Sequence, residues 1–199
     1  MSTKHGNFWH RVWPAVSTIV LAGAVTLLST RPAEGTPPNG LQELRALQEI
    51  EDLEYCYAAG TDAVGRGDLQ GGKQIYAKCF TENAPIVITA AGADPEDPPA
   101  VSVPSPDAWA DLIDGLFADA GYVSTQHLIS NVRIDIHGNG HEATITSYLS
   151  ATHVLDPVSS IQVAHGTYTS EAVKTPSGWK LKKRTFRTLT FLRLDSPLP

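Results

Sequence analysis

The chain is short of several things at once. Charged residues make up only 18% of 199 positions, the formal net charge is −6, and Lys and Arg form no cluster or stripe. That excludes the electrostatic footprint of a nucleic-acid binder. There are no internal repeats, no heptads and no phosphate-binding glycine loop. No serine or cysteine has a convincing base partner. His137 and His141 flank a tight turn and read as turn residues, so no residue set suggests a metal site and no cofactor is expected. What is present is a hydrophobic content of 42%, which suits one globular domain with its own core, plus an appendage.

The appendage is the N-terminus. Lys4 and Arg11 precede an apolar run from Ala15 to Leu28, and Ala22-Gly23-Ala24 offers a small-x-small cleavage site. Residues 1–30 therefore read as a signal peptide, or as an uncleaved membrane anchor, because Val12 to Thr30 nearly reaches the ~20 residues of a span. Either way the expectation is an exported protein, periplasmic or extracellular, with membrane contact if the segment is retained. Residues 31–40, broken by Pro32, Gly35, Pro37 and Pro38, read as a linker, and the domain proper as 41–195. Cys56 and Cys79 are the only cysteines. If the first two helices form a hairpin turning near Gly67, the two lie at a similar height. A bridge suits an oxidising compartment, and two buried thiols remain the alternative.

Within the domain, Asn39 could cap a helix in which Leu41, Leu44, Leu47, Ile50, Leu53 and Tyr57 recur at steps of three and four. Glu43, Glu49, Glu51 and Glu54 fall to its wetter side. Asp68 caps a second helix through Phe80, which also accounts for Arg66-Gly67-Asp68 without an adhesion role. Pro85 to Ala90 is a strand, and Ala91 to Pro104 a proline-rich loop. Ser105 or Asp107 opens a third helix carrying Trp109, Leu112, Ile113, Leu116 and Phe117. Four strands follow, 123–136, 142–154, 161–174 and 179–194, with turns at His137 to Gly140, Asp156-Pro157 and Pro176 to Gly178. Helices segregated from antiparallel hairpins make an α+β fold.

Two polar stretches interrupt this pattern: Tyr55-Cys56-Tyr57 through Asp62 on the first helix, and Thr125-Gln126-His127 on the first hairpin strand. A carboxylate, an imidazole and phenols are the parts of general acid–base chemistry. Burial would raise the Asp62 pKa unless His127 pairs with it. Tyr57 and Asp62 are five apart, ~140° around an ideal helix, and Tyr55 is a rival phenol on the Asp62 face. His153 and His165 sit near opposite sides of one turn and could be cross-strand neighbours, with a rim position favoured over the pocket. Arg184 and Arg187 default to surface charge.

Taken in order, Tyr57…Asp62, Gly67-Asp68-Leu69, Thr125-Gln126-His127, the turn at His137 to Gly140, Gly166-Thr167-Tyr168 and Gly178-Trp179-Lys180 resemble the SnoaL-like members of the NTF2-like superfamily, in the branch of scytalone dehydratase and bile-acid dehydratases. The resemblance covers about residues 41 to 194. It implies a cone of three N-terminal helices packed on a curved, mostly antiparallel sheet that encloses a pocket. It implies Asp62, His127 and Tyr57 as catalytic residues, with Tyr55, His153, Tyr168 and Arg184 on the substrate. The expected activity is a cofactor-independent lyase or isomerase acting on a small apolar molecule. A non-catalytic ligand-binding or assembly module and a polyketide cyclase are the alternatives, and a homodimer or homotrimer is the expected assembly.

Overall fold

The computed structural model describes residues 38–94, 96–156 and 160–195. Helix α1 (Pro38–Val64) begins inside the expected linker, so Asn39 lies within its first turn rather than at its cap. Proline suits a first helical position, because its missing N–H would be unpaired there anyway. Residues 31–37 and the apolar segment 1–30 lie outside the described residues. None of the described helices is long and apolar enough to cross a membrane.

Ile50, Leu53, Tyr57, Ala58, Thr61 and Val64 form the buried stripe of α1, whereas Leu41 and Leu44 are exposed. Helix α2 (Leu69–Cys79) starts at Asp68, whose carboxylate accepts from the Gly71 N–H at 2.8 Å. Of the two alternatives for the cysteines, the structure has the bridge: Cys56 and Cys79 form a disulfide with Cα atoms 6.0 Å apart, tying α1 to α2. Strand β1 (Ile86–Thr89) pairs with β2 (Val101–Val103), a strand that the proline count of the preceding loop had hidden. Helix α3 (Pro106–Ala120) is capped by Ser105, which accepts from the Ala108 N–H, and ends on Gly121 at φ 74°, a left-handed position suited to glycine.

The remaining strands are β3 (Tyr122–Ile136), β4 (Glu142–Leu155), β5 (Ser160–Thr175) and β6 (Gly178–Asp195). The sheet order is β2-β1-β6-β5-β4-β3, with β1 parallel to β6 and every other pairing antiparallel. The architecture is the expected α+β one, three helices on a mixed, mostly antiparallel sheet that does not close on itself. Burial alternates along β4 and β5, so Leu149, Ala151, His153, Ala164 and Tyr168 point to the helices. His153 pairs with Gln162 and His165 with Ser150, so the two histidines are not cross-strand neighbours. Between the inward face of the sheet, α1 and α3 lies a cavity of about 370 Å³.

Candidate active site

The cavity is mostly apolar. Ile86, Ile88, Trp109, Ile113, Leu149, Ala164 and Phe186 supply much of its wall, and its polar groups arrive from α1 and the four long strands. Helix α1 runs unbroken through Gly60, so Tyr57 and Asp62 keep their angular separation. Tyr57 faces the cavity; Asp62 lies on the helix flank and is not part of the lining. A Cβ at Gly65 would overlap the Thr125 side chain, so this glycine lets the end of α1 press against β3.

That approach brings Asp62 onto β3. Its Oδ1 lies 2.7 Å from His127 Nδ1 and accepts from the Thr125 hydroxyl at 3.0 Å, and its Oδ2 accepts from the His127 backbone N–H at 3.2 Å. Burial acts to raise the Asp62 carboxyl. The hydrogen bond and charge of His127, its backbone N–H and the Thr125 hydroxyl outweigh that, and hold it below the ordinary carboxylate value. With Nδ1 held by an ionised carboxylate, Nε2 is the His127 nitrogen left for a ligand, and the imidazole lines the cavity.

His153 lines the cavity too, at 4% exposure, against the expected rim position. Its ring centroid is 5.7 Å from that of His127. Its Nδ1 lies 3.1 Å from the Gln162 carbonyl oxygen; a carbonyl only accepts, so Nδ1 carries the proton and Nε2 is an acceptor. Burial first, then the neighbouring His127, lowers its pKa to about 4, so the ring is neutral at pH 7. Tyr122 stacks on it at 4.7 Å, and Phe117 and Phe191 meet it edge-on at 5.7 Å.

The fully buried end of the cavity, its floor, holds an ion pair that the sequence pattern did not reveal. Arg184, a surface charge by its own pattern but a substrate contact by the resemblance, is fully buried and lines the cavity. Glu54 does not face water either. It is also 0% exposed, and its oxygens accept from Arg184 Nη1 at 2.8 Å and Nη2 at 3.0 Å. Ser147 and Ser170 donate to the same carboxylate at 2.6 and 3.3 Å. Burial acts to raise Glu54, but the Arg184 charge and these hydrogen bonds leave it below its usual range. The signal was available, because Glu54 lies between Ile50, Leu53, Tyr57 and Thr61 on one helical stripe.

The Arg184 guanidinium sits in the corner formed by the edge-to-face rings of Tyr57 and Tyr168, 4.0 and 3.7 Å from their centroids. Burial pushes both phenols above the usual phenol value. They are therefore held as hydrogen-bond donors rather than phenolates. Tyr55 is outside the site: it is 45% exposed and its hydroxyl donates to Glu51 at 2.7 Å. Two residues from Tyr57 is about 200° around the helix, which turns it to solvent. Arg187 is exposed. His137 is also exposed, beside the Thr144 hydroxyl. Among the described residues no group of three metal-ligating side chains converges.

The structure thus brings Asp62, His127, His153, Tyr57, Tyr168 and Arg184 to one cavity or its immediate backing. A SnoaL-like domain family matches residues 42–185. No curated protein matches the sequence. Among solved structures, a protein from Novosphingobium aromaticivorans DSM 12444 provisionally described as a scytalone dehydratase is 23% identical, with 80% of this chain and 95% of that one covered at a TM-score of 0.56. The hexachlorocyclohexane dehydrochlorinase LinA-type3 from Novosphingobium barchaimii LL02 is 17% identical, over 80% and 99% of the two chains, at 0.62. The Kfla4162 protein from Kribbella flavida is 21% identical, over 75% and 95%, at 0.58. At these identities the likeness is one of fold.

Proposed function

The chain belongs to the SnoaL-like domain family, and on that premise we propose that it is an acid–base lyase or isomerase for a small, largely apolar substrate. The observation that carries this is the 2.7 Å contact between His127 Nδ1 and Asp62, with the imidazole on the cavity wall and the carboxylate behind it. In this reading His127 Nε2 takes a proton from a carbon beside an electron-withdrawing group. Asp62 holds the ring in the tautomer that leaves Nε2 unprotonated, and stabilises the imidazolium that forms. The electron pair of the broken C–H bond moves into the substrate, where buried phenol donors are placed to meet developing negative charge. Elimination follows if a β-substituent leaves with its bonding pair, a departing hydroxide taking back a proton from the imidazolium. Isomerisation follows if the proton returns to another carbon.

The neighbours named as dehydratase and dehydrochlorinase perform eliminations by name, which supports the reading at the level of reaction type. The Cys56–Cys79 disulfide fits the exported location we also propose, since such bridges persist in oxidising compartments.

The test is deuterium uptake. Apolar polycyclic ketones incubated with the protein in D2O are followed by NMR for loss of the signal of the proton next to the carbonyl. Wild type should exchange it, while Asp62→Asn and His127→Gln should not. Ketones that bind without exchange above the buffer rate would instead make the domain a ligand-binding module.

A further inference from the structure

The guanidinium at the cavity floor is only partly used. Arg184 Nη1 donates to Glu54 Oε1 at 2.8 Å and to the Ser170 hydroxyl at 3.0 Å, and Nη2 donates to Glu54 Oε2 at 3.0 Å. These bonds occupy the end of the fork. The Tyr57 and Tyr168 rings, with centroids 5.4 Å apart and planes 71° to each other, flank it on two adjacent sides. What is left is Nε, which is buried and has no hydrogen-bond partner among the described residues, and the second N–H of Nη2, to which no acceptor is bound. A buried N–H without an acceptor is costly and uncommon, and Arg184 lines the cavity, so the natural acceptor is an atom of the ligand.

The charge at the floor limits what that atom can belong to. Glu54 neutralises Arg184 through both oxygens. The other ionisable side chains of the lining are Tyr57, Tyr122, Tyr168, His153 and His127, of which His127 is bound to the Asp62 carboxylate. None is an unpaired cation of the Lys or Arg kind. A carboxylate entering here would be buried close to Glu54 with no free positive charge to offset its lost hydration. A carbonyl oxygen carries no such cost and satisfies the Nε–H.

We propose that the cavity selects an uncharged apolar ligand presenting one acceptor oxygen, such as a ketone, aldehyde or ester carbonyl, to the Nε edge of Arg184, and that Glu54 is the residue that sets this preference for uncharged over anionic ligands. The proposal rests on the cavity of the reading above and not on its proton transfer.

Three probes of one shape test it by calorimetry on the full chain at neutral pH: 2-acetylnaphthalene, 2-ethylnaphthalene and 2-naphthoate. Wild type should bind the ketone at least roughly tenfold tighter than either of the others. Glu54→Gln should gain affinity for naphthoate by a similar factor, while its affinity for the ketone changes little. Replacing the pair together, Glu54→Leu with Arg184→Leu, exchanges a buried ion pair for apolar packing, a change proteins often tolerate. In that variant the preference for the ketone over the hydrocarbon should vanish. A wild type that binds naphthoate as tightly as the ketone, or does not distinguish the three probes, overturns the proposal, as does a double variant that keeps the ketone preference. Should Glu54→Gln not fold, the wild-type order and the double variant still decide. Wild type binding in the expected order without deuterium uptake would sink the enzyme reading alone. Uptake with a preference for naphthoate would sink this one alone.

Discussion

Glu54 and Asp62 stand two turns apart on helix α1, and the fold treats these two carboxylates in opposite ways. Glu54 is sealed at the cavity floor against Arg184, a cation that never loses its proton, with two serine hydroxyls completing its shell. Asp62 sits half-buried on the helix flank and is bound to an imidazole whose free nitrogen reaches the cavity. The first arrangement is suited to hold charge still, the second to let a proton move. The difference follows from the partner strand. β6 brings a guanidinium to the floor, and β3 brings a histidine to the wall.

Removing one partner at a time tests this contrast. Arg184→Ala would leave Glu54 ionised with no cation in a fully buried site, and should cost about 3–5 kcal/mol in urea denaturation. The paired leucine replacement should cost much less, and a single substitution costing under about 1 kcal/mol would remove the distinction between the regions. Asp62→Asn should do the reverse. Deuterium uptake should fall by about 10²–10⁴-fold, while stability falls by only about 1–2 kcal/mol. A loss of stability matching that of Arg184→Ala would make Asp62 another structural carboxylate.

Acid separates the regions in a third way. His153 has a folded pKa of about 4, below its ordinary 6.5, so between these values the unfolded chain binds a proton that the folded chain does not. Stability should therefore fall as pH drops from about 6.5 towards 4, by up to about 3 kcal/mol, and His153→Leu should flatten that decline. Asp62, whose folded pKa is depressed, contributes stability that is lost only at lower pH, as its own carboxyl protonates. Denaturation midpoints measured across this range check both. The smallest effect expected is at Thr125, whose hydroxyl donates to Asp62 at 3.0 Å. Thr125→Val should cost about 1 kcal/mol and slow uptake by less than about tenfold.

Much of the fold was legible because local chemistry and periodicity agree. Asp68 and Ser105 cap helices where their side chains suggested, and the turns after β3 and β5 carry Gly140 and Gly178 at positive φ; the expected turn at Asp156-Pro157 continues outside the described residues. Strand β2 was missed because three residues beside a proline-rich loop carry no periodicity of their own; the pairing of Ile86 with Val103 makes it a strand. At the site, the association of Asp62 with His127 came from motif resemblance, and their distance came from the close approach that Gly65 permits. Glu54 was misassigned, and Arg184 was put at the site only by the resemblance, because each reads alone as a surface charge. Burial became affordable only when the two met across 130 positions of chain. Tyr55 was set aside by nothing more than its angle on the helix.

Composition, caps and period, which act over a few residues, were enough to determine an α+β domain with three helices and four long strands. They also named the residue types available for proton transfer. The tertiary structure alone decided which carboxylate is locked and which is bound to an imidazole, and that Arg184 keeps an unpaired N–H at the cavity floor. Those outcomes depend on what lies opposite each side chain once it has left water, and that partner is set by strand register and helix docking between residues far apart in the chain.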